Sequence, residues 1–250
     1  MMASNSYIAR RGLLLDYFDR TAADAWARIT SDAPVSAIRQ TVRAGRDEMR
    51  RTLLDWMPAD LSGCRVLDAG CGTGALALEA ACRGAHVTAI DLSPTLIGIA
   101  KERMAQNLSE DMATHPQSGS IRFLSGDMLD RRLITSPQDE ARPFDYVVAM
   151  DSLIHYQIDD LLAALAALAA VSKGPVLFSF APRTRLLAMM HLMGRLFPRG
   201  DRAPAIEPVA ERMLIDRILT DARLADHGPH RTRRIKSGFY ISQALEVTRR

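Results

Sequence analysis

Three things are scarce in this chain, and each scarcity removes a class of function. Cysteine is rare. There are three in 250 residues, Cys64, Cys71 and Cys82, with no Cys-x-x-Cys pair and no run at metal-ligand spacing. An odd, sparse set suits a reducing cytoplasm better than a disulfide framework, so a cytoplasmic location is expected. Excess charge of one sign is missing as well. The 32 Lys and Arg against 29 Asp and Glu leave a net charge of +3. That makes no case for a nucleic-acid partner unless the charge gathers on one face. Long hydrophobic runs are also absent. A membrane span needs about 18 apolar residues, and the longest candidate, Leu161 to Val171 (LLAALAALAAV), reads as a buried, Ala-rich helix. The start Arg10-Arg11-Gly12-Leu13-Leu14-Leu15 resembles a twin-arginine export signal. Its apolar run stops at Asp16, short of the roughly 7–15 residues such a signal needs, so export is not expected.

What is present is a globular composition. A hydrophobic fraction of 48% and a charged fraction of 24% support one large domain or two small ones. Residues 1–60 read as a helical arm or cap. Apolar positions Val35, Ile38, Val42, Met49, Leu53 and Trp56 fall near helical spacing, and Pro34 suits a first helical turn. From Cys64 onward short β-like runs alternate with helical segments. The runs are Arg65–Asp68, His86–Asp91, Ile121–Leu124, Phe144–Met150 and Pro175–Phe180, and the helical segments are 74–83, 93–107 and 157–171. Such alternation predicts a mostly parallel sheet with helices on both faces. Ser93-Pro94 supplies an N-cap and a first-turn proline. Residues 183–226 read as a helical insertion, helical over 207–225. His230–Lys236 and Phe239–Val247 form a hairpin around Ser237-Gly238. That makes seven strands in an α/β domain over 61–250. Runs 109–119 and 130–143 are polar and Pro-bearing and read as loops.

The stretch Val66-Leu67-Asp68-Ala69-Gly70-Cys71-Gly72-Thr73-Gly74-Ala75 looks like a nucleotide loop. Its glycines satisfy a relaxed dinucleotide fingerprint, and Asp91 ends the second strand about 20 residues later, as a ribose holder would. Neither feature separates a dinucleotide from S-adenosylmethionine. Asp68 does. A carboxylate beside the turn repels a pyrophosphate and attracts an ammonium and a sulfonium. The loop's backbone N–H groups can then serve the methionine carboxylate. In Ser125-Gly126-Asp127-Met128 the acid can meet the adenine amino group and Met128 can pack on its ring. Phe144 to Met150 delivers a fourth strand end to the same crevice.

Together, VLDAGCGTG, the acidic strand end in TAIDLS, SGDM and FDYVVAMDSL resemble the Rossmann-like methyltransferases. That resemblance implies S-adenosylmethionine as cofactor, held by Asp68, Gly70, Cys71, Gly72, Thr73, Gly74, Asp91, Leu92, Ser93, Asp127, Met128 and Met150. The flanks narrow it. Tyr17-Phe18-Asp19 with Ala22 and Trp26, Val42-Arg43 with Gly45-Arg46, Met150-Asp151-Ser152-Leu153-Ile154-His155-Tyr156, and Gly238-Phe239-Tyr240-Ile241-Ser242 resemble the magnesium-protoporphyrin IX methyltransferase family, from about residue 14 to 246. For that family the loops 109–119 and 130–143 look long. The resemblance implies methylation of a porphyrin propionate, with Tyr17 and His155 orienting it. Arg39, Arg43, Arg46, Arg183 and Arg185 are candidate cations for the second propionate, since guanidinium forks suit carboxylates. No protein-bound metal is implied, because the magnesium belongs to the substrate. It also implies the large subunit of magnesium chelatase as a partner. The Leu- and Met-rich segment 186–197 is a candidate for lining the macrocycle pocket or for peripheral membrane contact. Two alternatives remain open on the residues alone: another small acceptor such as a quinone, phenol or fatty acid, and a nucleotide-dependent oxidoreductase, which Asp68 disfavours.

Overall fold

The computed structural model describes residues 4–21, 37–108, 119–135, 143–183 and 205–250. Trp26, Pro34, Val35, Arg185, the segment 186–197 and most of the two polar runs therefore lie outside the described residues.

The chain opens with helix α1 (Asn5–Asp16), capped by Ser4, whose side chain accepts from the Tyr7 amide at 3.0 Å. A π-helical turn (Tyr17–Thr21) follows. Helix α2 (Ala37–Asp55) precedes the alternating part: β1 (Arg65–Ala69), α3 (Ala75–Cys82), β2 (His86–Asp91), α4 (Pro94–Leu108), β3 (Ser120–Ser125), α5 (Arg131–Ile134), β4 (Tyr146–Ala149), a 3-10 turn (Leu153–His155), α6 (Ile158–Ala169) and β5 (Val176–Phe180). Helix α7 (Glu211–Thr220) and a 3-10 turn (Ala222–Leu224) lead into β6 (His227–Ser237) and β7 (Tyr240–Arg249).

The seven strands form one sheet in the order β3-β2-β1-β4-β5-β7-β6. The first five are parallel, and β7 alone is reversed, pairing antiparallel with both β5 and β6. The sheet works because its inner strands are apolar on both faces, as parallel strands must be when helices cover each side. Along β5, Val176, Phe178 and Phe180 enter one core and Leu177 the other. The first core takes α6 through Leu161, Leu162 and Leu165, and α1 through Tyr7 and Leu14. The second takes α2 through Met49, Leu53 and Leu54, and α3 through Leu76, Ala77 and Ala80.

Three expectations shift. The fourth strand is shorter than Phe144–Met150, because Phe144 leaves the ladder for a lone bridge to Ser172. The segment 207–225 is broken at Asp221, whose extended backbone ends α7 and whose carboxylate caps the next turn at the Arg223 amide, 2.9 Å away. The run from 130 contains α5, nucleated by the Asp130 side chain on the Arg132 amide at 3.0 Å. A single turn is too short to show a period.

Candidate active site

The sheet order reverses between β1 and β4, the place where open α/β sheets bind ligands. An open cavity lies there. Its walls come from the loop after β1, the ends of β2 and β4, the turn after β3, and helices α1 and α2 of the arm.

Asp68 lies on this wall and is 1% exposed. Its Oδ2 is buried without a hydrogen-bond partner. Buried polar atoms are nearly always paired, so an orphaned carboxylate oxygen facing a cavity marks a missing donor. Burial pushes its carboxyl up to about 7, and the neighbouring charge of Asp91 adds to this. Burial also raises Asp91, against the opposing pull of backbone amides. Two of those amides are Gly72 N–H, which donates to Oδ2 at 2.8 Å, and Ser93 N–H, which donates to Oδ1 at 3.0 Å, and Leu92 supplies a third.

The glycine loop is therefore tied from within. Gly70 and Cys71 donate to the Ile90 carbonyl at 2.8 and 3.0 Å, and Gly74 donates to the Cys71 carbonyl at 3.0 Å. With Gly72 bound to Asp91, four of the loop's amides already have partners. The expectation that they serve a ligand carboxylate gives way to a different role, shape and close approach.

Gly70, Cys71, Gly72, Thr73, Asp91, Leu92, Asp127, Met128, Met150 and His155 line the cavity with Asp68. Gly74 and Ser93 do not. Gly74 caps α3 in a left-handed conformation, and the Ser93 hydroxyl donates to Asp19 and caps α4 at the Leu96 amide. Tyr17 does not line it either. The π-helical turn puts Phe18 on the wall, with Tyr17 edge-on behind it at 5.2 Å between ring centres. Arg43 and Arg46 line the cavity, whereas Arg39 and Arg183 are exposed and do not.

Asp127 is more occupied than its motif implied. Its Oδ1 accepts from the Tyr7 hydroxyl at 2.7 Å and the Leu129 amide at 2.9 Å, and its Oδ2 accepts from Arg11 at 2.7 Å. The Tyr7 ring stacks on Tyr156, 4.9 Å between centres, and both line the cavity. Helix α1 buries only Tyr7 and Leu14, so these polar contacts are a large share of what docks it.

His155 is 7% exposed, and burial holds its imidazole below the usual range. It is therefore neutral at pH 7. Its Nδ1 lies 3.3 Å from the Ala205 carbonyl, which can only accept, so Nδ1 carries the proton. The bare Nε2 is then an acceptor. Asp151 closes the floor with φ of +54°, and its carboxylate accepts from Ser179 Oγ, Tyr240 OH and Arg46 Nη1. Tyr7 escapes sequence reasoning, and so does the joining of Arg46, Asp151, Ser179 and Tyr240, which meet only in the folded chain. Among the described residues no three His, Cys, Asp or Glu side chains gather as metal ligands.

Comparison with known proteins places this geometry. The family model for the magnesium-protoporphyrin IX methyltransferase C-terminus matches residues 149–249, and a methyltransferase domain model matches residues 66–174. The chain is 43% identical to a magnesium-protoporphyrin O-methyltransferase of Rhodobacter capsulatus over 97% of this chain and 98% of that one. The crystal structure of magnesium protoporphyrin IX methyltransferase from Synechocystis PCC 6803 with bound SAH superposes with a TM-score of 0.78. It is 28% identical and covers 96% of this chain and 100% of its own. A ubiquinone biosynthesis O-methyltransferase of Aromatoleum aromaticum is 32% identical, but over only 61% of this chain.

Proposed function

The chain belongs to the magnesium-protoporphyrin IX methyltransferase family, and from that premise we propose how its own side chains carry the family's reaction. It is an S-adenosylmethionine-dependent O-methyltransferase with a Rossmann-like methyltransferase fold. It methylates one propionate carboxylate of magnesium-protoporphyrin IX, giving the monomethyl ester in chlorophyll and bacteriochlorophyll synthesis. The observation that carries the reading is the orphaned Asp68 oxygen on the wall of the cavity.

S-adenosylmethionine supplies an electrophilic methyl on a sulfonium and an ammonium that a carboxylate can hold. Asp68 is assigned to that ammonium and Asp91 to the ribose. Leu92, Met128 and Met150 line the apolar part of the cavity, where the adenine is assigned. Asp127 is assigned a double duty, facing the adenine while anchoring α1 through Tyr7 and Arg11.

The acceptor needs little activation. A propionate with pKa near ~4 is already ionised at pH 7. The obstacle is its hydration and its orientation. Attack joins an anion to a cation and cancels both charges, so a dry cavity favours it. Tyr7, Leu14 and Phe18 of the arm line that cavity, and the exclusion of water is assigned to them. His155 presents a bare Nε2, so it steadies the pocket rather than donating to the carboxylate. Tyr17 is assigned a positioning role, through Phe18.

The test is ester formation by the purified protein with S-adenosylmethionine, comparing magnesium-protoporphyrin with metal-free protoporphyrin across pH. Turnover of the magnesium porphyrin is expected, with kcat nearly flat above pH ~6 because no base must first be unmasked. Turnover of a quinol or phenol instead would assign the chain another acceptor, and a steep rise following an imidazole would make His155 a base.

The same reading extends to a partner and a place. Contact with the large subunit of magnesium chelatase would hand over a poorly soluble product directly. A cytoplasmic protein peripheral at the photosynthetic membrane fits that route, and no described helix is long and apolar enough to cross a membrane. Co-elution of the two purified proteins is expected on a sizing column. Separate elution, with no faster methyl transfer on mixing, would count against the contact.

A further inference from the structure

Magnesium-protoporphyrin IX carries two propionates, and only one is esterified. We propose that Arg43 and Arg46 of α2 seat the carboxylate that does not react, and that Asp151 is the residue that positions Arg46 for it. The proposal rests on the methyl-transfer reading above.

The cavity is electrically polarised. Asp68, Asp91 and Asp127 line it from the ends of β1, β2 and β3, where the cofactor is assigned. Helix α2 contributes Arg43, Arg46, Asp47 and Arg50, which lie three, four and seven residues on from Arg43 along one helical face, and Asp151 lines the cavity as the partner of Arg46. A dianionic acceptor is repelled from the first end and drawn to the second. Arg50 is committed locally, donating to Asp47 at 2.8 Å and to Glu79 at 3.2 Å, so the Asp47 charge is answered there.

Arg46 is held differently. Its Nη1 donates to Asp151 Oδ2 at 2.6 Å, and the Asp151 side chain is 5% exposed. Asp151 is itself fixed from two strands of the sheet. Ser179 of β5 donates to Oδ1 at 2.9 Å and accepts from the Asp151 amide at 2.7 Å. Tyr240 of β7 donates from its hydroxyl at 3.0 Å. These contacts hold a residue whose φ of +54° is rare outside glycine. A guanidinium is a planar fork of five N–H donors. Gripping one of them on a rigid anchor sets the plane of the rest, the preorganisation a carboxylate clamp needs. Gly45 makes this possible. A Cβ there would lie 2.4 Å from the Tyr240 ring, so only glycine lets α2 close onto β7.

The test uses two acceptors: magnesium-protoporphyrin IX, and the analogue whose non-reacting propionate is capped as an amide. Wild-type protein is expected to show a KM for the diacid roughly tenfold or more below that for the mono-amide. In Arg43→Ala and Arg46→Ala that ratio should fall toward one, with affinity for S-adenosylhomocysteine unchanged. Arg46→Lys should recover part of it as a point charge. Asp151→Asn, which tolerates a left-handed backbone, should lose the ratio as Arg46→Ala does. A ratio that survives in the arginine variants overturns the seat, and so does an equal rise in KM for both acceptors. If Asp151→Asn fails to fold, Ser179→Ala and Tyr240→Phe, which loosen Asp151 without removing it, should each lower the ratio, and an unchanged ratio in both overturns the positioning role. A wild-type protein that methylates neither acceptor fails at the earlier step, the methyl-transfer reading itself.

Discussion

Replacing Asp68 with asparagine is expected to weaken S-adenosylhomocysteine binding by roughly 10- to 100-fold, because a hydrogen bond to a charged group contributes about 1.5–3 kcal/mol. Asparagine keeps the volume and removes the charge, so the loss reports electrostatics rather than a cavity. The effect should also carry a pH signature. Burial pushes the Asp68 carboxyl up to about 7, and the ligand's ammonium binds the ionised form. Binding below pH 7 must therefore expel a proton. Affinity should rise as pH climbs toward 7 and level off above it, with a fall of about tenfold for each unit below. Titration calorimetry at pH 6.5 in two buffers of different ionisation heat would count the released proton. In Asp68→Asn that proton should vanish along with the slope.

Stability should move the opposite way. An acid whose pKa is higher in the folded chain binds an extra proton there between pH ~4 and ~7, so ligand-free stability falls as pH rises through that window. An asparagine side chain has no such proton to lose. The variant should therefore melt higher than wild type at pH 8 without ligand, each kcal/mol being worth roughly 2–4 °C in a chain of this size. A variant that binds as tightly as wild type would remove Asp68 from the site. One that binds weakly and also melts lower would make its role structural.

Asp68 shows what local sequence can reveal. Its position beside the glycine turn is readable because strand, acid and turn are contiguous, and the physics of a carboxylate there needs no tertiary information. The same holds for β2, legible to the residue over His86–Asp91, and for the hairpin around Ser237-Gly238. The hairpin's first strand starts earlier than its pattern suggests, at His227, because the register shifts between Pro229 and Thr232 and interrupts the alternation. The partners of Asp127 and Asp151 are illegible for another reason. Tyr7 lies 120 residues before Asp127, and Tyr240 lies 89 after Asp151. No spacing rule spans such distances. Asp151 stands inside the DSLIHY stretch, yet the imidazole of His155 is the conspicuous group there and hides it. Tyr17 lies off the cavity wall, as the turn there is π-helical and puts its neighbour Phe18 on it.

Gly70→Ala is expected to cost at least 100-fold in kcat/KM, and the reasons add. Gly70 has φ of +84°, where an L-residue is disfavoured by roughly 1–2 kcal/mol. A Cβ there would lie 2.4 Å from Ser152 Cβ and 3.0 Å from its Oγ. Overpacking of that kind costs about 1–3 kcal/mol when the neighbour can shift. Ser152 has little freedom to do so. Its hydroxyl donates to the Ala69 carbonyl at 2.9 Å, and the preceding Asp151 is held from β5, β7 and α2. The overlap must then be relieved in the glycine loop itself, which moves the floor of the cofactor cavity. Gly70→Ala/Ser152→Gly separates the two causes, since it removes the collision but not the backbone strain. Partial recovery is expected. Gly12→Ala is the control, because Gly12 is in the middle of α1 and an added methyl there would have nothing within 4 Å. It should leave activity alone and raise stability by about 0.5–1 kcal/mol. Wild-type S-adenosylhomocysteine affinity in Gly70→Ala would mean the loop tolerates displacement, and close approach of its backbone would no longer explain why a glycine stands there.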